Sequence, residues 1–158
     1  MMWIRRNKNL LPGILLCCCC CAASANLIDN GGFEKVSDNF PANWTQLWTR
    51  QAGQGQAFPD GETRHNGKHS VRIEHRGKQD WSFAAEKRLD VKTGDLFTIA
   101  GWVKTKGAGS TTIGVIAYDA DGEAVDWVLG GRTASGLDQW HLLRCRFVIP
   151  ENVVTILP

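Results

Sequence analysis

The 158-residue sequence has few side chains whose types and spacing suit catalysis or metal binding. His65, His69 and His75 are spaced for one zinc ion only on a helix, and this segment has the pattern of a turn followed by a strand. No serine nucleophile elbow, phosphate-binding glycine loop or His-Glu-x-x-His motif occurs. The acidic residues fall mainly in turns. The sequence therefore predicts a protein that holds no zinc and binds a ligand without catalysing a reaction.

Two further polar features have ordinary structural explanations. Asp119, Asp121 and Gly122 look like the start of a calcium loop, but the other ligands of such a loop are missing and Gly122 suits a tight turn. Cys145 is the single cysteine outside residues 17–21, and it alternates with apolar residues in a predicted strand. It is expected to be a small buried side chain, because free cysteines are among the most buried residues.

Aromatic side chains are the strongest candidates for ligand contacts. Trp102 and Tyr118 lie on the faces of two predicted strands opposite the apolar rows, and a hairpin of these strands would place them side by side. Trp81 and Trp127 have polar neighbours. A flat aromatic ring can stack on the apolar face of a ligand ring while nearby polar groups bond its hydroxyls. These four residues are the predicted aromatic set.

The remaining candidates are weaker. Arg72 and Glu74 complete the predicted ligand-binding residues, and Trp48 ranks with them, although charges on a strand face are usually only solvated. Trp44 follows a proline loop and Trp140 follows a glycine turn. Both are predicted to pack in the core, because a tryptophan buries a large apolar area.

The elements that must position these residues alternate with a period of two. Val71 and Ile73 share one strand face, and residues 97–103 and 139–149 show the same alternation. Glycine and aspartate turns separate the strands, and no stretch has the 3.6-residue period of a convincing amphipathic helix. Short strands with such turns predict an all-β fold, an antiparallel β-sandwich of two stacked sheets.

The first 25 residues have the features of a secretory signal peptide. Arg5, Arg6 and Lys8 form a basic start, residues 10–21 are mainly apolar, and Ala23-Ser24-Ala25 fits a cleavage site. The apolar stretch is too short for a membrane helix, which needs about 20 residues. Cleavage is therefore expected after this segment.

Removal of that segment sets the domain boundary and changes the charge. It takes away three of 18 basic residues and none of the 16 acids, so the formal charge of +2 becomes −1. A near-neutral surface without a basic stripe argues against nucleic acid as a partner. Residues 26–158 are expected to form one secreted domain, extracellular or periplasmic, with no stable membrane insertion. Lipid attachment at Cys17 has weak support, since Leu16 is not the small residue expected there.

Six short motifs follow one another along residues 26–158. They are Asn26-Leu-Ile-Asp-Asn-Gly-Gly-Phe-Glu34, Pro41-Ala-Asn-Trp44, His65-Asn-Gly-Lys-His-Ser-Val-Arg-Ile73, Val91-Lys-Thr-Gly-Asp-Leu-Phe-Thr-Ile-Ala-Gly-Trp-Val-Lys104, Ala117-Tyr-Asp-Ala-Asp-Gly122, and Gln139-Trp140 with Phe147-Val-Ile-Pro150. In this order they resemble the carbohydrate-binding modules of the galactose-binding-like jelly-roll superfamily, of the cellulose- and xylan-binding kind appended to glycoside hydrolases. The resemblance implies a jelly-roll β-sandwich that holds a polysaccharide or oligosaccharide without cleaving it. It also implies a glycoside hydrolase as a possible partner domain in a longer parent protein.

The resemblance implies two further details. Glu34 matches a position that supplies a carboxylate to a structural calcium ion, together with backbone oxygens of the turn at 65–68. Such modules continue through two more strands after the corner at Pro150, so the chain is expected to lack its last strand or strands. Two alternatives stay open: a secreted adhesion or protein-interaction domain of the same fold, and a small jelly-roll enzyme that cleaves glycan. Convergence of the predicted aromatic set on one exposed face would favour the glycan-binding module.

Overall fold

The computed structural model describes residues 1–7, 25–107 and 109–158, which form strands and turns. Most of the predicted signal segment, with its five cysteines, lies outside the described residues. The strands are β1 (Met2–Asn7), β2 (Val36–Ser37), β3 (Phe40–Pro41), β4 (Trp48–Thr49), β5 (Gly55–Asp60), β6 (Ser70–His75), β7 (Trp81–Ser82), β8 (Leu89–Asp90), β9 (Leu96–Val103), β10 (Ser110–Tyr118), β11 (Ala124–Ser135), β12 (His141–Val148) and β13 (Thr155–Leu157). Among these residues there is no helix able to cross a membrane.

Two antiparallel sheets supply the main core. The three-stranded sheet has the order β1-β9-β12, and the four-stranded sheet has the order β11-β10-β13-β8. Phe97 and Ile99 of β9 meet Val115 of β10 and Ile156 of β13 in one apolar cluster, and each is at most 1% exposed. Alternate residues enter this cluster because successive side chains of a strand point to opposite faces. The predicted antiparallel β-sandwich is confirmed.

The pairing of β9 with β12 shows how the apolar alternation sets the register. Phe97 lies opposite Phe147, and their ring centroids are 5.9 Å apart at an angle of 17°. Ile99 lies opposite Cys145. A slip of one residue would turn the apolar side chains of a strand to the other face. Cys145 is half-buried and packs against the core, as its position in the predicted strand indicates.

The predicted hairpin of β9 and β10 is not formed. β9 pairs with β1 and β12, whereas β10 pairs with β11 and β13 in the other sheet. The expectation that Trp102 and Tyr118 lie side by side is therefore wrong. The pattern is the same in both arrangements, because a period of two records which face of a strand is buried and not which strand lies beside it.

The strand β1 comes from the start of the predicted signal segment. Its six residues pair with residues 96–101 of β9, and Ile4 is fully buried in the core. Arg5 points to the opposite face, and its guanidinium lies 4.8 Å from the Trp3 ring centroid. Cleavage after Ala25 stays a prediction, and it would remove this strand from the sheet.

The chain after β7 extends the layer of the four-stranded sheet. The N–H of Ala85 donates to the carbonyl oxygen of Pro158 at 2.8 Å, next to β13. On its other side Ala85 forms a bridge with Trp44. The layer therefore continues from β13 through Ala85 towards the ribbon of β4 and β7.

Trp44 belongs to the core at this end of the molecule. It is 3% exposed and stacks on Phe83 at 5.0 Å between ring centroids, with 3° between the ring planes. Phe33 packs against it at 4.9 Å. The predicted core role of Trp44 is confirmed.

Candidate functional site

Tyr118 lies on the outer face of the four-stranded sheet under an arginine. Val115 and Ala117 point into the core, so Tyr118 points outwards, yet it is only 9% exposed. The reason is Arg88, whose guanidinium carbon lies 3.5 Å from the centre of the Tyr118 ring. A cation over an aromatic face is electrostatically favourable. Arg88 itself is exposed, so this pair presents a cationic group to solvent.

Two hydroxyl-bearing residues of this sheet lie on the same face as Tyr118. Thr155 of β13 lies opposite Tyr118 in the ladder. Thr112 lies at the other end of β10 and shares a hydrogen bond of 2.7 Å with the hydroxyl of Thr133. A planar group with a hydroxyl beside it suits a ligand ring with an apolar face and polar edges.

Trp127 lies on β11, the strand next to β10. It is 68% exposed, the highest value among the exposed large apolar side chains. The ladder between β10 and β11 shifts register in this region, and Asp126 accepts a hydrogen bond of 2.8 Å from the N–H of Val128. A bulge of this kind re-aims the side chains around it. Trp127 thus belongs to the same sheet as Tyr118, on its outermost strand.

Trp81 lies at the opposite side of this layer. It is half-buried in β7, opposite Thr49 of β4, and its ring centroid is 6.4 Å from that of His75. Since the chain after β7 joins the edge of the four-stranded sheet, three members of the predicted aromatic set belong to one layer. They are Trp81, Tyr118 and Trp127.

Trp102 is the exception, because it lies on the other sheet. The ring of His65 stacks on it, with 3.8 Å between centroids and 14° between planes. His65 also meets Trp140 edge-on at 5.9 Å. This covering leaves Trp102 poorly placed to stack on a ligand, and the four aromatic residues do not converge on one face. Trp140, predicted to be core, is only half-buried.

The cluster of His65, Trp102 and Trp140 has no counterpart in the sequence patterns. His65 comes from a glycine-containing turn more than thirty residues before Trp102, and no periodicity links the two. Only the packing of the turn against the end of β9 brings them together. In the sequence, the positions of Trp102 and Trp140 were the one signal that could have indicated this cluster.

Arg72 has a structural partner. Its guanidinium forms an ion pair of 2.7 Å with Asp60, and it donates to the hydroxyl of Thr63 at 3.1 Å. Burial raises the pKa of Asp60, but the N–H groups of Thr63 and Glu62 and the charge of Arg72 outweigh it, so that pKa lies below its ordinary value. Arg72 therefore stabilises the turn after β5.

Glu74 lies beside a shallow polar depression. It accepts a hydrogen bond of 3.1 Å from the side chain of Gln56. Together with Gln54 and Arg76 these residues line the depression. Glu74 and His75 point to opposite faces of β6, because side chains alternate along a strand. Glu74 therefore faces away from Trp81, which packs against His75.

Glu34 closes the turn before β6. Both of its oxygens accept the N–H of Lys68, at 3.1 and 2.9 Å. This N–H is the main reason that the pKa of Glu34 lies below its ordinary value. A calcium ion needs six to eight oxygen ligands, and the described residues contain no group of three acidic, histidine or cysteine side chains around one point. These contacts fit a turn cap, and a calcium ion at Glu34 stays a prediction.

Comparisons with known proteins agree with this architecture. A search of curated proteins finds no match. The CBM22-1 xylan-binding domain of Paenibacillus barcinonensis Xyn10C is 18% identical with a TM-score of 0.52, and the match covers 79% of this chain and 77% of that one. The CBM22-1-CBM22-2 tandem domain of the same protein is 20% identical with a TM-score of 0.52, covering 79% of this chain and 37% of that one. Both likenesses show the shared fold.

The family comparison covers almost the whole of the predicted domain. The model of the carbohydrate-binding domain family matches residues 25–157. It confirms the predicted non-catalytic binding of glycan, and with it the choice of a binding module over an enzyme. On this match the chain belongs to the carbohydrate-binding domain family.

Proposed function

We propose that this chain binds a xylan-type polysaccharide on the outer face of the four-stranded sheet, with Arg88 and Tyr118 at the centre of the site. The observation that carries the proposal is the exposed Arg88 side chain, whose guanidinium carbon lies 3.5 Å from the centroid of the Tyr118 ring. The xylan-binding domain with the same fold supports the class of ligand.

The chemistry of this face suits a sugar chain. The C–H face of a pyranose ring packs on a flat surface, and its hydroxyls need directional partners. The Arg88 guanidinium has several N–H donors in one plane, and Thr155 offers a hydroxyl beside it. Trp127 supplies an exposed aromatic ring on the same sheet. No bond of the glycan has to break for this function.

The wider biological role follows from the kind of relative. A tandem of such domains at the N-terminal end of a protein supports the proposal that this module accompanies another domain, namely a glycoside hydrolase. Such a module concentrates its partner on the polysaccharide. Because the polysaccharide lies outside the cell, the proposal includes secretion of the protein.

The test compares two arginines that each lie over an aromatic ring, on opposite sheets. Arg88→Ala removes the proposed ligand contact, whereas Arg144→Ala removes an exposed arginine 5.9 Å from the Trp3 ring on the three-stranded sheet. Binding is measured by affinity electrophoresis and tryptophan fluorescence with xylan, β-glucan, cello-oligosaccharides and galactan.

We expect Arg88→Ala to weaken xylan binding by about tenfold or more, since a hydrogen bond to a charged group contributes about 1.5–3 kcal/mol. Arg144→Ala should bind like the unmodified chain. Equal losses in both variants, or an unchanged Arg88→Ala, would contradict the proposed site. Saturable binding of another glycan in the panel, lost in Arg88→Ala, would keep the site and change the ligand.

A further inference from the structure

A groove lies beside the edge strand β8, between the two main sheets. Leu89 of β8 belongs to the four-stranded sheet and Phe97 of β9 to the three-stranded sheet, and both line the groove. The other lining residues are Leu27, Lys87, Arg88, Asp90 and Arg6 of β1. The groove has a volume of about 360 Å³, within the range of small-ligand sites, roughly 300–1,000 Å³. It therefore has room for a small group of a ligand.

Basic side chains outnumber acidic ones in this groove. Arg6, Lys87 and Arg88 line it together with one acid, Asp90. Arg6 forms an ion pair of 3.4 Å with Asp95, whereas the side chains of Lys87 and Arg88 form no ion pair or hydrogen bond with any residue that the structure describes. Lys87 and Arg88 are both exposed, and both stay in a chain cleaved after Ala25. The groove thus offers two cations to a ligand.

An acidic turn lies beside Arg88 without pairing with it. A Cβ atom on Gly122 would be 4.0 Å from Nη1 of Arg88. In the same turn Asp119 accepts the N–H groups of Asp121 and Glu123, at 3.1 and 2.9 Å. These three acids form no ion pair with Arg88 in the described part of the chain. The N–H donors of the Arg88 guanidinium are therefore available to a ligand.

Two unpaired cations in one groove suit a carboxylate. An arginine can bind a carboxylate through two parallel N–H···O bonds, and a lysine binds it as a point charge. Arg88 lies over the ring of Tyr118 and also lines the groove, so it connects the proposed glycan-binding face to the groove. A side group that branches from a glycan on that face can enter the groove and meet Lys87.

We propose that this module selects xylan that carries carboxylate side groups, and that Arg88 and Lys87 bind the carboxylate of a uronic acid branch in the groove. The inference rests on the proposed function, because it takes the main chain of the xylan to lie on the face of Tyr118. It adds the chemical class of the side group and a specificity-determining residue, Lys87.

The test compares a glucuronoxylan with the same polymer after its uronic acids have been reduced to neutral sugars. The two ligands share one main chain, so a difference in affinity reports the carboxylate. Binding to the purified protein is measured by tryptophan fluorescence and affinity electrophoresis, at low and high sodium chloride. We expect the acidic polymer to bind about fivefold more tightly or better, and the preference to shrink at high salt.

Two lysine variants separate the groove from the net charge. Lys87→Gln should remove most of the preference for the acidic polymer and leave the affinity for the reduced polymer unchanged. Lys104→Gln is the matched control, because Lys104 is an exposed lysine directly after β9 and its replacement changes the net charge equally. This variant should keep the preference of the unmodified chain.

The outcomes distinguish this inference from the proposed function. Equal binding of the two polymers by the unmodified chain would overturn the inference and leave the proposed xylan binding intact. Equal losses of the preference in Lys87→Gln and Lys104→Gln would also overturn it, since net charge and not the groove would then be the cause. Binding of neither polymer would overturn the proposed function, and this inference with it.

Discussion

The carboxylate of Glu34 accepts the backbone N–H of Lys68 through both of its oxygens, at 3.1 and 2.9 Å. This contact ties the loop before β2 to the turn before β6, across 34 positions of the chain. The turn passes close to the carboxylate at Gly67, which has a φ of 71°. A Cβ atom there would overlap a carboxylate oxygen of Glu34. Glu34 and Gly67 therefore form one interlocked contact.

Gly67→Ala should destabilise the protein more than Gly94→Ala. Both glycines have a positive φ, 71° and 82°, so both variants suffer the backbone strain of about 1–2 kcal/mol. Only Gly67 has a neighbour where the new methyl group would lie, because nothing is within 4 Å at Gly94. Urea unfolding should show the larger loss for Gly67→Ala. Equal free energies of unfolding would contradict the interlocked contact.

The contribution of Glu34 to stability should depend on pH. Its folded pKa lies below the ordinary value, mainly because the Lys68 N–H bonds the charged form. A lowered folded pKa means that the stabilisation is present above the unfolded pKa of about 4.3 and is lost as the pH falls through the folded pKa.

The melting temperatures of the unmodified chain and Glu34→Gln test this sign. The unmodified chain should be the more stable at pH 7, and the difference should shrink from about pH 5 towards pH 3. Asp60 titrates in both proteins, so the comparison isolates Glu34. A difference that grows on acidification would contradict the assignment.

Arg72→Gln should lower stability and leave glycan binding unchanged. Its partner Asp60 is 7% exposed and would lose a cation at 2.7 Å, while Arg72 itself is largely solvated. We expect a loss of about 1 kcal/mol, or a melting temperature lower by about 2–4 °C. Glu74→Gln, in the same strand, should change the melting temperature less. A loss of glycan affinity in a folded Arg72→Gln would restore Arg72 to the binding site.

Trp44→Ala should be far more damaging than Trp48→Ala. Trp44 is 3% exposed and stacks on Phe83, so its truncation should cost about 3–5 kcal/mol. Trp48 is 50% exposed, and its truncation should change stability by about 0.5 kcal/mol or less. Thermal unfolding with far-ultraviolet circular dichroism measures both. Comparable losses would show that Trp48 is packed more tightly than its exposure indicates.

Much of the fold could be predicted from local alternation. The apolar positions of β9 and β12 identify which residues face the core, and Phe97 and Phe147 do meet there. The turns, the lack of helices in the described residues and the β-sandwich class follow from the same pattern. These features are local, because a side chain's face depends only on its position along its own strand.

The sequence by itself therefore determined the strands, the family and the non-catalytic class of function. Only the tertiary structure decided that β9 and β10 belong to different sheets, that His65 covers Trp102, that Arg88 covers Tyr118, and that β1 fills the edge of β9. Each of these depends on which distant segments become neighbours. Which segments become neighbours is determined by the burial of apolar area and the pairing of backbone groups over the whole domain. A two-residue period in the sequence does not encode this pairing.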